Sequence, residues 1–191
     1  MTPDERRAAV VEVAVPLLEE HGAALTTKQV AEAAGIAEGT LFRAFGTKDE
    51  LVHACAAAVL DTKDVVERLR AVDRDQTLDA RLEAAVGIML AHVGRVIGLM
   101  STLHAAGVAP VRHPEAGRPR RPRMTDPEVD AAIIDLVGAD AEELRLEPAE
   151  VVTLLAQLTL ASAHPMFPGR ALSPAEIVSV VLDGTRKAGT R

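Results

Sequence analysis

The closely spaced helix caps in "TTKQVAEAAGIAEGTLFRAFGTKDE" constrain the fold of this chain more than any other feature. Thr26 and Thr47 each begin a Ser/Thr-x-x-Glu/Gln capping box, the pattern that opens an α-helix. Gly35 lies between the two boxes and can adopt the positive φ that ends a helix without steric cost. Only two short helices and a tight turn fit into this interval. The spacing therefore predicts a helix-turn-helix motif over residues 26–45.

Helix boundaries are equally readable elsewhere in the chain. The segments "TPDE", "DP" at 126–127 and "SPAE" near the C-terminus are start signals, and Pro148 begins another helix. Apolar residues follow a helical period between these signals, most extensively over residues 78–106. We find no period-2 strand pattern, so the sequence predicts an all-α protein.

Composition limits the classes to which the protein can belong. Of the 191 residues 48% are hydrophobic, enough for a sizeable core. The sequence offers no signal peptide, and no stretch approaches the roughly 18 apolar residues of a membrane span. The single cysteine, Cys55, excludes an internal disulfide framework and a Cys-rich metal site. We expect a cytoplasmic protein with no cofactor, no metal and no membrane partner, in which Cys55 is a core residue; a redox-sensing role is the alternative.

Two of the three phenylalanines fall within the predicted motif. Phe45 shares a helix face with Leu41, so it should fill the small core beneath the motif. Phe42 follows Leu41 directly and therefore points away from that core. The second helix of such a motif has the right size for the major groove of DNA. Gly39 and Thr40 would lie at the end that faces the groove.

The stretch "AALTTKQVAEAAGIAEGTLFRAFGTKDEL", preceded by "AVPLLEEHG", resembles the N-terminal domain of TetR-family transcriptional regulators. This resemblance implies a three-helix DNA-binding head over residues 1–50 and a larger helical domain over 51–191, which regulates and dimerises. It further implies a homodimer on a palindromic operator, controlled by a small-molecule effector. The larger domain contains a Pro/Arg-rich loop at 108–125, for which a linker and a supplementary contact to DNA or an acidic partner are both open.

The resemblance also assigns roles to residues of the motif. Phosphate and sugar contacts would come from Thr27, Lys28, Phe42, Arg43 and Lys48, and base contacts from Glu38, Gly39 and Thr40. Two of these depart from the family pattern. Phe42 replaces a frequent tyrosine and loses a hydroxyl contact, whereas Glu38 would repel phosphate but could accept a hydrogen bond from cytosine N4.

Net charge is −7, and residues 1–48 hold five basic against seven acidic side chains. A diffuse positive field therefore cannot attract DNA to the head, and binding must depend on individually placed cations.

The larger domain shows two further patterns. Apolar stripes on the last two helices are candidates for the dimer interface, although they could equally face their own subunit's core. A face of the long middle helix, with one aromatic residue beyond it, is the candidate effector site for an apolar or amphipathic molecule; a plain core helix is the alternative. The stripe residues are Val151, Leu154, Leu155, Leu158, Ile177, Val180 and Val181, and the effector residues are Met89, His92, Val96, Met100, His104 and Phe167.

Two other functional classes compete with a regulator. An enzyme is disfavoured, because no nucleophile elbow, phosphate-binding glycine loop, His-Glu-x-x-His motif or paired-carboxylate arrangement is found, and we predict no catalytic residues. The alternative is a helical interaction or adaptor protein whose head no longer binds DNA, an interpretation that the acidic head favours.

Overall fold

The computed structural model describes residues 2–105, 126–167 and 169–186. Within these ranges the chain forms nine α-helices, two short 3₁₀ helices (Gly22–Ala24 and Gly138–Glu143) and no strand beyond an isolated bridge between Leu144 and Arg186. This confirms the predicted all-α fold. The α-helices are α1 (Pro3–His21), α2 (Thr27–Ala33), α3 (Glu38–Phe45), α4 (Lys48–Leu60), α5 (Lys63–Arg70), α6 (Leu78–Ala105), α7 (Pro127–Val137), α8 (Pro148–Ala163) and α9 (Pro174–Thr185).

The predicted caps account for most of these boundaries. The side chains of Thr2, Thr26 and Ser173 accept hydrogen bonds from the backbone N–H three residues on, and the residue at that position bonds back to each cap. Thr47 accepts from the backbone N–H of Glu50 at 3.1 Å. These bonds satisfy N–H groups that have no partner within their own helix.

One boundary was not predicted. The sequence gives no stop signal between α4 and α5, yet the helix ends at Leu60 and a new one begins at Lys63. The hydroxyl of Thr62, between them, donates to Asp126 Oδ2 at 3.0 Å. That carboxylate also accepts from the backbone of Glu128 and caps α7. The break thus involves a partner 64 positions away in the chain.

The described residues form two compact units. The first comprises residues 2–61 and 95–105, that is α1 to α4 with the C-terminal part of α6. In it α1 packs against α2, α3 and α4. Arg95 Nε, on α6, lies 3.3 Å from Glu19 Oε1, on α1. The core side chains with no more than 2% exposure include Leu18, Leu25, Leu41, Phe45, Leu51 and Leu99.

The second unit comprises residues 62–94, 126–167 and 169–186. In it α7 packs against α5 and α8, and α8 packs against α9. Two ion pairs, Arg81 with Asp140 and Arg186 with Asp79, connect α6 to later parts of the chain. The fully buried side chains include Leu69, Leu82, Leu136, Leu155, Ile177 and Leu182. The predicted boundary at residue 50, between a DNA-binding domain and a regulatory domain, stays a prediction. The predicted loop at 108–125 lies outside the described residues.

α6 contains a segment, Leu78–His104, that is long and apolar enough to cross a membrane, contrary to the expectation that no stretch approaches this length. Core helices of soluble proteins share these properties. Leu82 and Val86 are buried in the core of the second unit, and Leu99 and Leu103 in that of the first. These four positions show that one side of α6 packs into the core of each unit, although most of the apolar segment is not buried.

Cys55 lies fully buried in the core of the first unit, as predicted. Burial raises the pKa of its thiol to about 11. Since the thiolate is the nucleophile, burial disfavours the reactive form of this thiol at neutral pH.

Candidate nucleic-acid interface

Local hydrogen bonds fix the angle between α2 and α3. The backbone N–H of Gly35 donates to Glu32 O at 3.2 Å, and that of Ile36 donates to Ala31 O at 3.0 Å. Gly35 has φ +64°, the left-handed conformation that the sequence predicted at this position. Ile36 is half-buried and packs against the core of the first unit. The turn therefore holds α3 in one orientation relative to α2.

The inner face of α3 anchors it to the core. Leu41 and Phe45 are both 0% exposed, whereas Phe42 is 43% exposed. This confirms the predicted separation of the two phenylalanines. Because α-helical residues are about 100° apart around the axis, the side opposite Leu41 and Phe45 carries Gly39 and Arg43. Both are exposed.

Arg7, which was not predicted to act at this site, holds the C-terminal end of α3. Its Nη1 donates to Ala44 O at 2.5 Å, and its guanidinium lies 4.3 Å from the centroid of the Phe45 ring. A cation at a helix C-terminus and above an aromatic ring is stabilising in both positions. Thirty-seven positions separate Arg7 from Ala44, so no local sequence pattern connects the two.

The outer surface carries the predicted contact residues. Glu38, Gly39, Phe42 and Arg43 are exposed on α3, and Thr40 is half-buried. We call this surface the α3 outer face. Lys28 on α2 is exposed and lies 3.8 Å from Glu32 Oε1. Lys48 is half-buried at the first position of α4.

Thr27 and Glu38 are joined directly. The Thr27 hydroxyl donates to Glu38 Oε1 at 2.6 Å, a bond between the first residue of α2 and the first residue of α3. This distance is typical of a hydroxyl donating to a carboxylate. The sequence analysis assigned Thr27 to phosphate and Glu38 to a base, and did not pair them.

Comparison with known families identifies this arrangement. Residues 10–55 match the model described as bacterial regulatory proteins, tetR family. The match runs from α1 through the turn and α3 to the first part of α4. Residues 10–55 therefore form a TetR-family N-terminal domain.

Solved structures extend the likeness in fold over nearly the whole chain. A TetR transcriptional regulator from Streptomyces coelicolor aligns with a TM-score of 0.56 at 21% identity, over 96% of this chain and 99% of that chain. Another tetR-family regulator from Streptomyces coelicolor gives 0.54 at 19% identity, over 96% and 81%. The TetR-like regulator LfrR from Mycobacterium smegmatis, in complex with proflavine, gives 0.51 at 21% identity, over 96% and 98%. At these identities the likeness establishes the fold.

Gly39 offers a test of how closely the α3 outer face of this TetR-like head approaches a partner. A Cβ at Gly39 would meet nothing within 4 Å, and its φ is not positive, so the fold itself does not require glycine. Gly39→Ala should therefore stabilise the protein by about 0.4–1 kcal/mol in thermal unfolding. If the helix lies against base edges, the same methyl group should weaken operator binding by roughly tenfold or more, the equivalent of about one base contact.

The matched control is Gly98→Ala, at an open position on α6. It should raise stability to a similar extent and leave operator affinity unchanged in fluorescence anisotropy. Wild-type affinity in the Gly39 variant would exclude close approach of this helix end to DNA.

In the second unit, the residues proposed for the dimer interface divide into two groups. Val151, Leu155, Ile177 and Val181 are at most 4% exposed and lie in their own chain's core, as the alternative interpretation of the stripes foresaw. The other three remain at the surface to different degrees: Leu154 is 36% exposed, Val180 is 61% exposed and Leu158 is half-buried.

The predicted effector residues also divide. In the second unit Met89 is in the core, His92 is half-buried, and Phe167 is 58% exposed, with its ring edge-on to His164. In the first unit Val96 and Met100 are half-buried against the core, and His104 is exposed. In the described part of the chain, no group of three or more His, Cys, Asp or Glu residues could hold a metal ion.

A small apolar cavity lies in the second unit between α6, α7 and α8. Its volume is about 10 Å³, and Met89 is the predicted effector residue that lines it. Thr159, which was not predicted, also lines it, and its hydroxyl donates to Leu155 O at 2.7 Å. The full lining is Ala85, Val86, Met89, Ile133, Leu155, Ala156 and Thr159.

Proposed function

We propose that this protein is a sequence-specific DNA-binding transcriptional regulator. It acts as a homodimer on a palindromic operator and represses transcription by excluding RNA polymerase until an effector binds. The observation that carries the proposal is the construction of α3. Its inner residues, Leu41 and Phe45, are fully buried, while its opposite side presents Gly39 and Arg43 to solvent. A short, rigidly held helix with an exposed side is what major-groove recognition requires.

Phosphate contacts come from the cations around this helix. Arg43 and Lys28 are exposed, and Lys48 begins α4, where backbone N–H groups favour an anion. Phe42 supplies an apolar surface beside them. Base contacts come from the first turn of α3, at Glu38, Gly39 and Thr40.

The dimer proposal rests on exposed apolar side chains of α8 and α9. Leu154 and Val180 are partly or largely exposed in the single chain, although both are aliphatic. An isologous interface between two copies would remove both from water. The buried stripe residues would support these side chains from beneath.

The effector proposal rests on the cavity lined by Met89 and Thr159. An adaptable thioether and aliphatic walls suit an apolar molecule or the apolar part of an amphipathic one. Ligand sites for small molecules usually enclose about 300–1,000 Å³. Since the cavity encloses only about 10 Å³, α6, α7 and α8 must separate to admit a ligand. LfrR, a structural relative, was solved with proflavine, but we propose a less aromatic effector here, because this chain holds only three aromatic residues of the Phe, Tyr and Trp types.

The proposal is tested by selecting bound sequences from a random DNA pool with the full-length protein. A palindromic consensus whose half-sites are about one helical turn apart, or a multiple of that distance, would report the dimer and the recognition helix together. Binding to the selected sequence should saturate in fluorescence anisotropy. If no sequence is enriched and titrations at low salt are flat, the adaptor function is favoured instead. The excess of acidic over basic residues in 1–48, seven against five, is the sequence feature that suggests this alternative.

Operator affinity should depend on salt to a limited degree. The guanidinium of Arg7 contacts Ala44 O and the Phe45 ring, so we count Arg6, Lys28, Arg43 and Lys48 as the head cations that reach phosphate. With three or four contacts per head and about 0.9 ions per contact, we expect a slope of log K against log salt of roughly −5 to −7 for the dimer. Anisotropy titrations between about 50 and 200 mM salt measure this slope. A value near zero would contradict the placement of these cations.

A further inference from the structure

The bond between Thr27 and Glu38 changes the role expected of Thr27. A threonine hydroxyl has one hydrogen to donate. In this protein that hydrogen is donated to Glu38 Oε1 at 2.6 Å. Thr27 therefore cannot at the same time donate to a phosphate oxygen, which is the contact that the sequence analysis assigned to it.

The same bond orients the carboxylate of Glu38. A carboxylate can accept about four hydrogen bonds, so one bond from Thr27 leaves acceptor capacity for a base. An exposed glutamate side chain normally loses rotamer freedom when it binds DNA. Because the bond from Thr27 already restricts the Glu38 side chain in the free protein, less freedom is lost on binding. Gly39, the next residue, has open space around it, so the backbone of α3 can approach the duplex at this point.

We infer that Thr27 is a positioning residue that holds Glu38 to read a cytosine in each operator half-site. This inference rests on the proposed function and adds the identity of one base. Cytosine N4 is a donor in the major groove and is suited to a carboxylate. Guanine and thymine present acceptors there and oppose the charge of Glu38. Adenine places its N7 acceptor beside its amino group, which makes it a poorer partner for a carboxylate than cytosine.

Glu38 should therefore contribute specificity at the expense of general affinity. Its charge repels the phosphates of every sequence, and only a correctly placed amino group compensates. Glu38→Ala should bind non-specific DNA more tightly than the wild type does, and should lose the preference at one base position. The preferences at the other positions should be unchanged.

The experiment measures affinity for the selected operator and for a variant in which the proposed C·G pair is replaced by T·A in both half-sites. For the wild type the ratio of the two affinities should be about 5- to 150-fold per half-site. Glu38→Ala should bring it close to one. Thr27→Val, which replaces the hydroxyl with a methyl group, should lower the ratio by about twofold to tenfold, and Thr27→Ser should restore it.

Three outcomes would overturn the inference. If Thr27 contacts phosphate, Thr27→Val weakens binding to all sequences equally and leaves the salt slope unchanged, because the hydroxyl carries no charge. If the bond is only a structural link between α2 and α3, Thr27→Val lowers the thermal midpoint and leaves the ratio unchanged. If Glu38→Ala keeps every base preference of the wild type, Glu38 reads no base.

Failure of the proposed function is distinguishable from these outcomes. A wild-type protein that enriches no sequence removes the regulator and this inference with it. A wild-type protein that binds a palindrome while the Glu38 and Thr27 variants keep its preferences removes the inference alone.

Discussion

Replacing Phe45 with alanine should lower the free energy of unfolding of the first unit by about 3–5 kcal/mol and abolish operator binding. Phe45 is 0% exposed and lies with Leu41 beneath α3. Alanine would leave a cavity there and remove the ring over which the Arg7 guanidinium lies at 4.3 Å. Since domains of this size are stable by only about 5–15 kcal/mol in total, the loss would remove much of what holds the helix in place.

Far-UV circular dichroism during urea unfolding is the appropriate measurement, because the chain has no Trp or Tyr to report by fluorescence. Phe42→Ala is the matched control. Phe42 is 43% exposed, so its removal should change stability by less than about 1 kcal/mol. It should nevertheless weaken DNA binding, because Phe42 belongs to the α3 outer face. Equal unfolding midpoints for the two variants would show that the two faces of α3 are wrongly assigned.

The sequence predicted the motif well because its determinants are local. A cap and its partner are three positions apart, and the conformation of Gly35 depends on its missing side chain. The motif predicted over residues 26–45 contains α2 and α3 and ends with α3, and the predicted start at Pro148 coincides with that of α8. Each of these features follows from hydrogen bonds and sterics within one or two helical turns.

The features that the sequence did not predict depend on distant partners. Thr62 bonds to Asp126, and Arg7 to Ala44, across 64 and 37 positions. Thr27 and Glu38 were each singled out as site residues, but their bond exists only because the turn brings two helix starts together.

The stripe on α8 shows a different difficulty. This helix is apolar around most of its circumference, so periodicity identifies which residues are apolar without indicating which neighbour each contacts. Leu155 is 2% exposed in its own chain's core, whereas Leu154, one position earlier, is 36% exposed. Two adjacent leucines thus lie in different environments, one in the core and one at the surface. Only their packing in the fold distinguishes them.

Replacing Val180 with aspartate should convert the proposed dimer into monomers. Val180 is 61% exposed in the single chain, so the substitution should leave the folded monomer within about 0.5 kcal/mol of the wild type. In an isologous interface the new carboxylate at position 180 would be buried without a partner. Because the interface is symmetric, each dimer would contain two such buried carboxylates. We expect the dissociation constant of the dimer to rise by a factor on the order of a thousand or more.

Sedimentation velocity at micromolar concentration measures the change in mass, and circular dichroism checks that the helices remain. Ala175→Asp is the control on the same helix. Ala175 is exposed in the first turn of α9, about 140° around the axis from position 180, where an acidic residue is compatible with the helix dipole. This variant should remain dimeric. A Val180 variant with the mass of two chains would exclude this part of α9 from the interface.

The same variant should weaken operator binding although Val180 is not part of the α3 outer face. When one head of a dimer is bound to its half-site, the second head is held near the other half-site at a high effective concentration. This raises the apparent affinity for the palindrome by about 10²–10⁴. A monomer loses that advantage while each head keeps its base preferences. Binding to an isolated half-site should therefore be the same for Val180→Asp and the wild type, whereas binding to the full palindrome should differ. Equal loss on both DNA fragments would mean that the substitution damages the head itself, and the connection between dimerisation and operator recognition would have to be abandoned.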